Sequence, residues 1–498
     1  VNLATIVDGH PADALAFISR NRPTTYGELR RQVDRVRAGL AALGVTRGDR
    51  IAIVCGNHRG FVVAELAVLG LGAVVVPLNP ASPTPELTAE LAVTTPVAVV
   101  LDAAAVEAWS ALDRAAVASV AHVIVTDGVT PPPGGLALAA LGEGCGPVPV
   151  ADVAPDALAA LLFTSGTAGA PRAAMLTHGN LRSNLDQALA GGGRLEPDDV
   201  VFGLLPLFHV YGLTVVLHAT LVSGAAVVLV QRFDPATALD TVESRGVTVF
   251  PGVPPVWAAF AAFPADVLAP LRQVRLALSG AARLDGEVAA QLAAKVGLTV
   301  CEGYGLTEAS PVVTTSVGLP VRVGSIGRPV PGVEVRIVEA DGTDVEPGDP
   351  GELLVRGPNV FAGYWGDPAA TAAVLDADGW LHTGDVAVAD DTGDLELVDR
   401  AKDLVIVSGF NVYPREVEEV LAGYPGVVDV AVVGVPHPHT GEAVKAYVVL
   451  AAGVEADEEQ LIAHAARHLA RYKCPTKVLF VDALPHGVAG KLLRRELR

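Results

Sequence analysis

Short apolar runs alternate with helix-length amphipathic stretches through the N-terminal region, and this alternation restricts the fold more than any other feature. Residues 29–43 are amphipathic, and 50–54 read as a strand. A helix is expected near 61–71, and 73–76, 97–101 and 122–125 are further apolar runs. Runs this short, bounded by turn residues, read as buried strands. Strands that alternate with helices favour a mostly parallel sheet covered by helices. Residues 19–26 read as a loop entering the first helix, Pro131-Pro132-Pro133-Gly134-Gly135 is a loop, and a second α/β stretch begins at Ala151.

Near Val321 the texture changes. Short strands such as 333–338 and 352–355 lie between Gly/Pro turns without long helices. The last hundred or so residues read as an α+β unit, with strands over 427–433, 443–450 and 478–481 and a helix over 458–470. The expected architecture is α/β. A large N-terminal domain of αβ-layered sheets covers 1–399, including a β-rich subdomain over about 321–399, and a small α+β C-terminal domain covers 400–498.

Composition narrows the function. Hydrophobic residues make up 51% of the 498, enough for a large core, which argues against disorder. The formal net charge of −20 sets nucleic acid aside as a partner. From Arg400 onward charges balance, so the whole deficit lies before it. From Gln460 onward eight Lys/Arg stand against two Asp/Glu. That basic end reads equally as a contact for a polyphosphate ligand or as a solvated face. Cys55, Cys145, Cys301 and Cys474 fit neither a metal spacing nor a disulfide framework, so reduced, mostly buried thiols in a cytoplasmic protein are expected. No basic region precedes an apolar run at the start, and no secretory leader is expected. Residues 207–230 carry no Lys, Arg, Asp or Glu, yet they hold His209, His218 and two glycines and lack charged flanks. Two buried strands around a core helix account for them better than stable membrane insertion.

The first chemical signal is Thr164-Ser165-Gly166-Thr167-Ala168-Gly169-Ala170-Pro171-Arg172, after the apolar run Leu161-Leu162-Phe163. Hydroxyls and glycines so placed can wrap phosphate oxygens with backbone N–H groups, and Arg172 can add a bidentate contact. It is not a Walker A loop, because no Gly-Lys-Ser/Thr follows. Four further runs occur in order: Gly303-Tyr304-Gly305-Leu306-Thr307-Glu308; Gly379-Trp380-Leu381-His382-Thr383-Gly384-Asp385; Asp399-Arg400-Ala401-Lys402-Asp403 continuing to Ser408-Gly409-Phe410-Asn411-Val412-Tyr413-Pro414; and Gly490-Lys491-Leu492-Leu493-Arg494-Arg495-Glu496-Leu497. Together with the first run they resemble the motifs of the adenylate-forming superfamily, which includes acyl-CoA synthetases, luciferases and peptide-synthetase adenylation domains. The hinge run resembles the form seen in bacterial fatty acyl-CoA ligases.

The resemblance implies two half-reactions. A carboxylate attacks the α-phosphate of ATP, releasing pyrophosphate, and the acyl-adenylate then passes to coenzyme A. It assigns Thr164, Ser165, Gly166, Thr167, Gly169 and Arg172 to the phosphates, Glu308 to Mg²⁺ and Thr307 to the α-phosphate. Tyr304 would stack on adenine, with Gly280 and Ala281 also bordering the nucleotide. Asp385 would accept the ribose hydroxyls, and Arg400 would support ribose or phosphate. Lys491 would bridge carboxylate and α-phosphate. Lys402 would be the hinge of a mobile C-terminal domain, and Ser408, Gly409 and Phe410 would border the CoA channel. The sequence departs from the family pattern at Arg172-Ala173, where Lys-Gly is usual, and at Ala489, where Thr is common. The spacing before Lys491 also resembles a site of regulatory acetylation in related bacterial ligases.

Pro206-Leu207-Phe208-His209-Val210-Tyr211-Gly212 resembles the substrate motif of the acyl-ligase branch. Amino-acid-activating domains place Asp where His209 stands, so α-amino acids are not expected. An acyl pocket of His209, Val210, Tyr211, Val253, Gly280, Ala281, Gly303 and Val312 holds no Lys or Arg. A dicarboxylate would leave its second charge unpaired there, and ligases for malonate carry Arg at the place of Gly303. An apolar fatty, polycyclic or aryl acid is therefore expected. Transfer to an acyl carrier protein instead of CoA is the alternative.

Overall fold

The structure is a computed structural model that describes residues 1–164, 171–190, 193–320, 322–400, 403–407, 410–437, 441–469, 471–486 and 492–497. The chain forms two compact units. The first contains Val1–Val323, Pro329–Glu334 and Arg356–Leu381; the second contains Gly324–Arg328, Val335–Val355 and His382–Arg498. The β-rich stretch expected over 321–399 is thus shared between the units, and most of its strands group with the C-terminal residues.

Within the first unit, one sheet runs in the order Leu136–Ala137, His122–Val125, Ala98–Leu101, Arg50–Val54, Val74–Leu78, Leu158–Thr164, Arg172–Thr177. All neighbours are parallel except the last pair. A second sheet has six parallel strands at its centre: Leu15–Ser19, Ala226–Leu229, Val200–Gly203, Val249–Gly252, Leu276–Ser279 and Val300–Gly305. Arg22–Thr25 pairs antiparallel with the first of these strands and Val312–Thr315 with the last. Helix Tyr26–Ala42 shows how local sequence and packing agree. Thr25 and Glu28 form a capping box at its start. Leu29, Val33, Val36 and Leu40 recur at helical spacing and are buried. Under the second sheet Phe202 and Phe250 stack at 4.4 Å, and Trp257 tilts against Phe250 at 5.2 Å.

Two local expectations are corrected. Residues 19–26 are not a plain loop, because Leu15–Ser19 and Arg22–Thr25 form a hairpin whose turn residues, Arg20 and Asn21, have φ of 49° and 62°. No glycine marks this turn, so the usual hairpin signal is missing. The charge-free run 207–230 is not two strands around a helix. It is a wide-turn π-helix, Tyr211–His218, continuing as Ala219–Val222 and followed by one strand, Ala226–Leu229. Among the described residues no helix is long and apolar enough to cross a membrane. Of the four thiols only Cys55 is buried; Cys145 is exposed, and Cys301 and Cys474 are intermediate.

In the second unit, strands Glu334–Val338, Gly351–Arg356, Leu381–Ala389, Leu395–Arg400 and Ser325–Pro329 follow one another in that order. A further sheet places Gly441–Leu450 between Val405–Val407 and Val427–His437, with Lys477–Phe480 parallel to it. Helices Pro414–Ala422 and Glu458–Ala466 contribute Val417, Leu421, Leu461 and Ala465 to its core. The expected helix over 458–470 therefore ends earlier, at Ala466.

Candidate active site

In the first unit, Thr164 and Arg172 stand opposite each other where two antiparallel strands meet. The tip between them holds Ser165, Gly166, Thr167 and Gly169, which lie outside the described residues. Residues 362–365 run along the free edge of the strand Arg172–Thr177. Ala362 N–H donates to Met175 O at 3.0 Å, Met175 N–H to Gly363 O at 2.9 Å, and Trp365 N–H to Ala173 O at 2.8 Å. This pairing delivers Tyr364 to the site. Its hydroxyl donates to Glu308 Oε1 at 2.7 Å, and the Arg172 guanidinium lies 5.8 Å from its ring centroid. Burial, and then the Glu308 charge, push the Tyr364 phenol well above its ordinary pKa, so it stays a donor. Arg172 is 3.5 Å from Asp367, and both side chains are about two-fifths exposed. Such a pair contributes under about 1 kcal/mol, so Arg172 can turn to an arriving anion at little cost.

The turn that carries Thr307 and Glu308 is held from behind. Asn359, fully buried, donates to Ala309 O at 2.9 Å, and Ser310 Oγ donates to Asn359 O at 2.8 Å. Phe361 N–H meets Glu308 O at 2.9 Å. Thr307 and Tyr304 are buried, on either side of Gly305 and Leu306. Gly305 is needed for close approach, because a Cβ there would lie 2.1 Å from Pro311 O. Glu308 offers a hard oxygen ligand beside an arginine and a hydroxyl-bearing strand end. That donor set fits Mg²⁺, which is commonly held by one or two carboxylates and by phosphate oxygens.

Part of the expected acyl set, His209, Gly280 and the Gly252–Val253 step, gathers around Tyr211. Tyr211 N–H donates to His209 Nδ1 at 3.2 Å, which leaves the Nε2 proton free to point elsewhere. Crowding by protein lowers the His209 pKa through desolvation, although the ring remains open to solvent, and the neutral imidazole is favoured. Tyr211 Oη reaches Gly252 O at 3.5 Å, beside Val253. A Cβ on Gly280 would come within 3.0 Å of the Tyr211 ring. Ala281 holds φ of 69°, a left-handed conformation that costs an L residue about 1–2 kcal/mol. Val210 is buried, and Val312 is clamped by Asn184 through two hydrogen bonds of 2.9 and 2.7 Å. Gly303 does more than leave a pocket open. A Cβ there would meet Thr314 O at 2.9 Å, so any side chain would press on the neighbouring strand.

Asp385 belongs to the second unit, on the strand Leu381–Ala389 and opposite Arg400 in register. Gly384 N–H and the His382 ring both meet the Glu352 carboxylate, at 3.2 Å each. The Arg400 and Phe410 side chains, and all of Lys402, Ser408, Gly409 and Lys491, lie outside the described residues. Sequence reasoning missed Tyr364, Asn359 and Asp367. The available signal was Phe361-Ala362-Gly363-Tyr364-Trp365, three aromatics in five positions of a chain with only 5% aromatic residues.

Parallel layered sheets, a hydroxyl- and arginine-flanked strand tip and an adjacent Thr-Glu turn together define an adenylate-forming enzyme. The chain belongs to the AMP-binding enzyme family: residues 3–365 match the model of that name, and 416–491 match the AMP-binding enzyme C-terminal domain. Its relatives make it an acyl-CoA ligase by type. A feruloyl-CoA synthase from an Amycolatopsis species is 40% identical, over 95% of this chain and 93% of its own. The 3-[(3aS,4S,7aS)-7a-methyl-1,5-dioxo-octahydro-1H-inden-4-yl]propanoyl:CoA ligase of Mycobacterium tuberculosis is 38% identical, over 98% and 96%. The crystal structure of ATP-bound MatB from Rhodopseudomonas palustris superposes with a TM-score of 0.91, at 35% identity, over 100% of this chain and 98% of that one.

Proposed function

We propose that this protein joins an apolar carboxylic acid to coenzyme A, with AMP and pyrophosphate as products, in the cytoplasm. The observation that carries the reading is the junction of Arg172, Tyr364 and Glu308, which sets a guanidinium beside a carboxylate able to hold a cation. Thr164 and Arg172 hold phosphate oxygens, and Thr307 addresses the α-phosphate. Tyr304 flanks the base, Asp385 and Arg400 serve the ribose, and Glu308 holds Mg²⁺. The bound cation supplies positive charge to the triphosphate. Lys491 steadies the meeting of carboxylate and phosphate, two anions that repel until neutralised. In the second step the thiol sulfur attacks the acyl carbonyl and AMP leaves. In this reading His209 borders the carboxylate and gates the thiol, and Ser408, Gly409 and Phe410 are assigned to the CoA channel.

Substrate class follows from the acyl wall. Val210, Tyr211, Val253, Gly280 and Val312 present no cation, so a second carboxylate would be desolvated without a partner. The acids named for the two relatives, an aryl acid and a fused-ring acid, are largely apolar. The test is a panel of fatty, polycyclic, aryl and dicarboxylic acids with ATP, offered either CoA or a phosphopantetheinylated carrier protein. Mass detection should find thioester on CoA, with AMP released. ADP as product would refute the mechanism, preference for dicarboxylates would refute the pocket, and acylation of the carrier alone would move the acceptor.

A further inference from the structure

The adenylation site leaves another end of the same unit unused. In the first sheet the chain steps from Arg50–Val54 to Val74–Leu78 on one side, then returns to Ala98–Leu101 on the other. With right-handed crossovers, helices Arg59–Gly70 and Thr84–Thr94 fall on opposite faces, and a crevice opens at the carboxyl ends of strands 50–54 and 98–101. Open α/β sheets bind ligands at such a reversal of strand order. A cavity of about 300 Å³ lies there, and it shares no residue with the adenylation site.

Its lining is unusual for a chain of net charge −20. Arg20, Arg22, Arg35 and Arg59 border it, against Asp102 and Asp127. None of the four guanidiniums has a hydrogen bond or ion pair among the described residues. Nearby arginines behave differently: Arg37 is tied to Asp34 at 2.7 Å and to Val148 O at 2.8 Å, and Arg50 to Thr94 O at 3.0 Å. Arg20 also sits on the left-handed hairpin turn, a conformation that costs free energy for a side chain of this kind. Asn21 beside it is anchored by Arg245 at 2.8 Å.

The floor argues against a metal ion. Cys55, His58 and Asp102 offer ligand atoms within 4.8 Å of one another. Yet Gly60 N–H donates to His58 Nδ1 at 3.0 Å, so in the neutral ring the proton sits on Nε2, which faces Asp102 Oδ2 at 3.3 Å. That oxygen also accepts from Gly56 N–H at 2.8 Å. The lone pair a cation would need is occupied by a proton, while four cations face the same opening. Guanidinium forks match phosphate geometry and gain strength at partly enclosed sites.

We propose that this crevice is a second binding site, for a compact phosphate-bearing anion, with Arg20, Arg22, Arg35 and Arg59 as its ligands. Inorganic pyrophosphate and AMP are the two probes, one for a free anion and one for a nucleotide that would rest its ring on Val36 and Leu138. Each is titrated calorimetrically into the full-length enzyme and into Arg20→Ala/Arg59→Ala. Wild type should bind two equivalents of at least one probe. The variant should lose one of them, with affinity there falling at least about tenfold, while adenylation rate and Tm hold. Arg35→Glu, in the same assay, should weaken the same equivalent. Loss confined to pyrophosphate assigns a free anion, and loss for AMP assigns a nucleotide. A single equivalent of each in wild type, or two equivalents that survive both variants, would overturn the site.

Discussion

Replacing Tyr364 with Phe removes the donor that meets Glu308 at 2.7 Å and keeps the ring packed against Phe361, 5.0 Å away. A hydrogen bond to a charged group is worth about 1.5–3 kcal/mol. Tyr364→Phe should therefore lower acid-dependent pyrophosphate exchange by roughly tenfold or more and raise the Mg²⁺ concentration needed for half-maximal rate, with little change in Tm. An unaltered Mg²⁺ dependence would separate Tyr364 from Glu308. Gly280→Ala presses a methyl against Tyr211 at 3.0 Å. It should shift the KM ratio between bulky and slim acids by about tenfold, the scale of one methylene in a pocket. An unchanged ratio would place the acyl group elsewhere. Thr307 and Glu308 stand out in the sequence because they sit in one short run. Tyr364 and Asn359 do not, since they reach the site from some fifty residues away, Tyr364 through edge pairing with strand Arg172–Thr177 and Asn359 through its hold on the Thr307–Ser310 turn.

Among elements, Asp199 ties together the beginnings of three parallel strands. Its carboxylate accepts from Glu196 N–H at 2.7 Å, from Thr248 Oγ1 at 2.7 Å and from Arg275 Nε at 2.8 Å, just ahead of strands 200–203, 249–252 and 276–279. These contacts hold the Asp199 pKa below the usual carboxylate value despite burial. A depressed folded pKa gives stability that is present above the unfolded value, near 4, and lost as pH falls through the folded value. Asp199→Asn should cost about 2 kcal/mol at pH 7, and the gap from wild type should close below about pH 4. Melting curves at both pH values check this, and a gap independent of pH would deny the ionic contribution. Most strands that were read agree to within a residue or two, because period and turn residues agree there, but Val427–His437 runs four residues past its expected end. The Arg20–Asn21 turn was hidden by its lack of glycine, and the Tyr211–His218 helix because apolar periodicity does not reveal which carbonyl each N–H reaches.

Across the whole molecule, one site has to serve two reactions, and two substitutions should separate them. Lys402→Pro restricts φ at the expected hinge and the residue before it. Acyl-adenylate should still form, while transfer to CoA slows by about tenfold or more, the effect of impaired closure steps. Lys491→Ala should do the reverse, abolishing adenylation yet making thioester from supplied acyl-adenylate, and acetylation of Lys491 should copy it by removing the same charge. Rapid-quench measurement of each half-reaction decides the matter, and equal loss of both in either variant would mean misfolding. The sequence does not reveal at this scale that the chain passes between the two compact units several times before Leu381.

The wide-turn helix at Tyr211–His218 has a consequence for how such a chain can diversify. Ala219 N–H reaches back five residues to Thr214 O, so the hydrogen-bonded loop there spans one residue more than in an α-helix. In an ordinary helix, losing a residue re-phases everything beyond it by about 100° and is ruinous. Here the surplus residue is slack. A one-residue deletion within 212–217 could be absorbed by reverting to the tighter ladder, with Tyr211 turning on its axis against Gly252 and Gly280. With Tyr211 on the acyl wall as proposed, acid preference then becomes open to changes of length as well as of side chain.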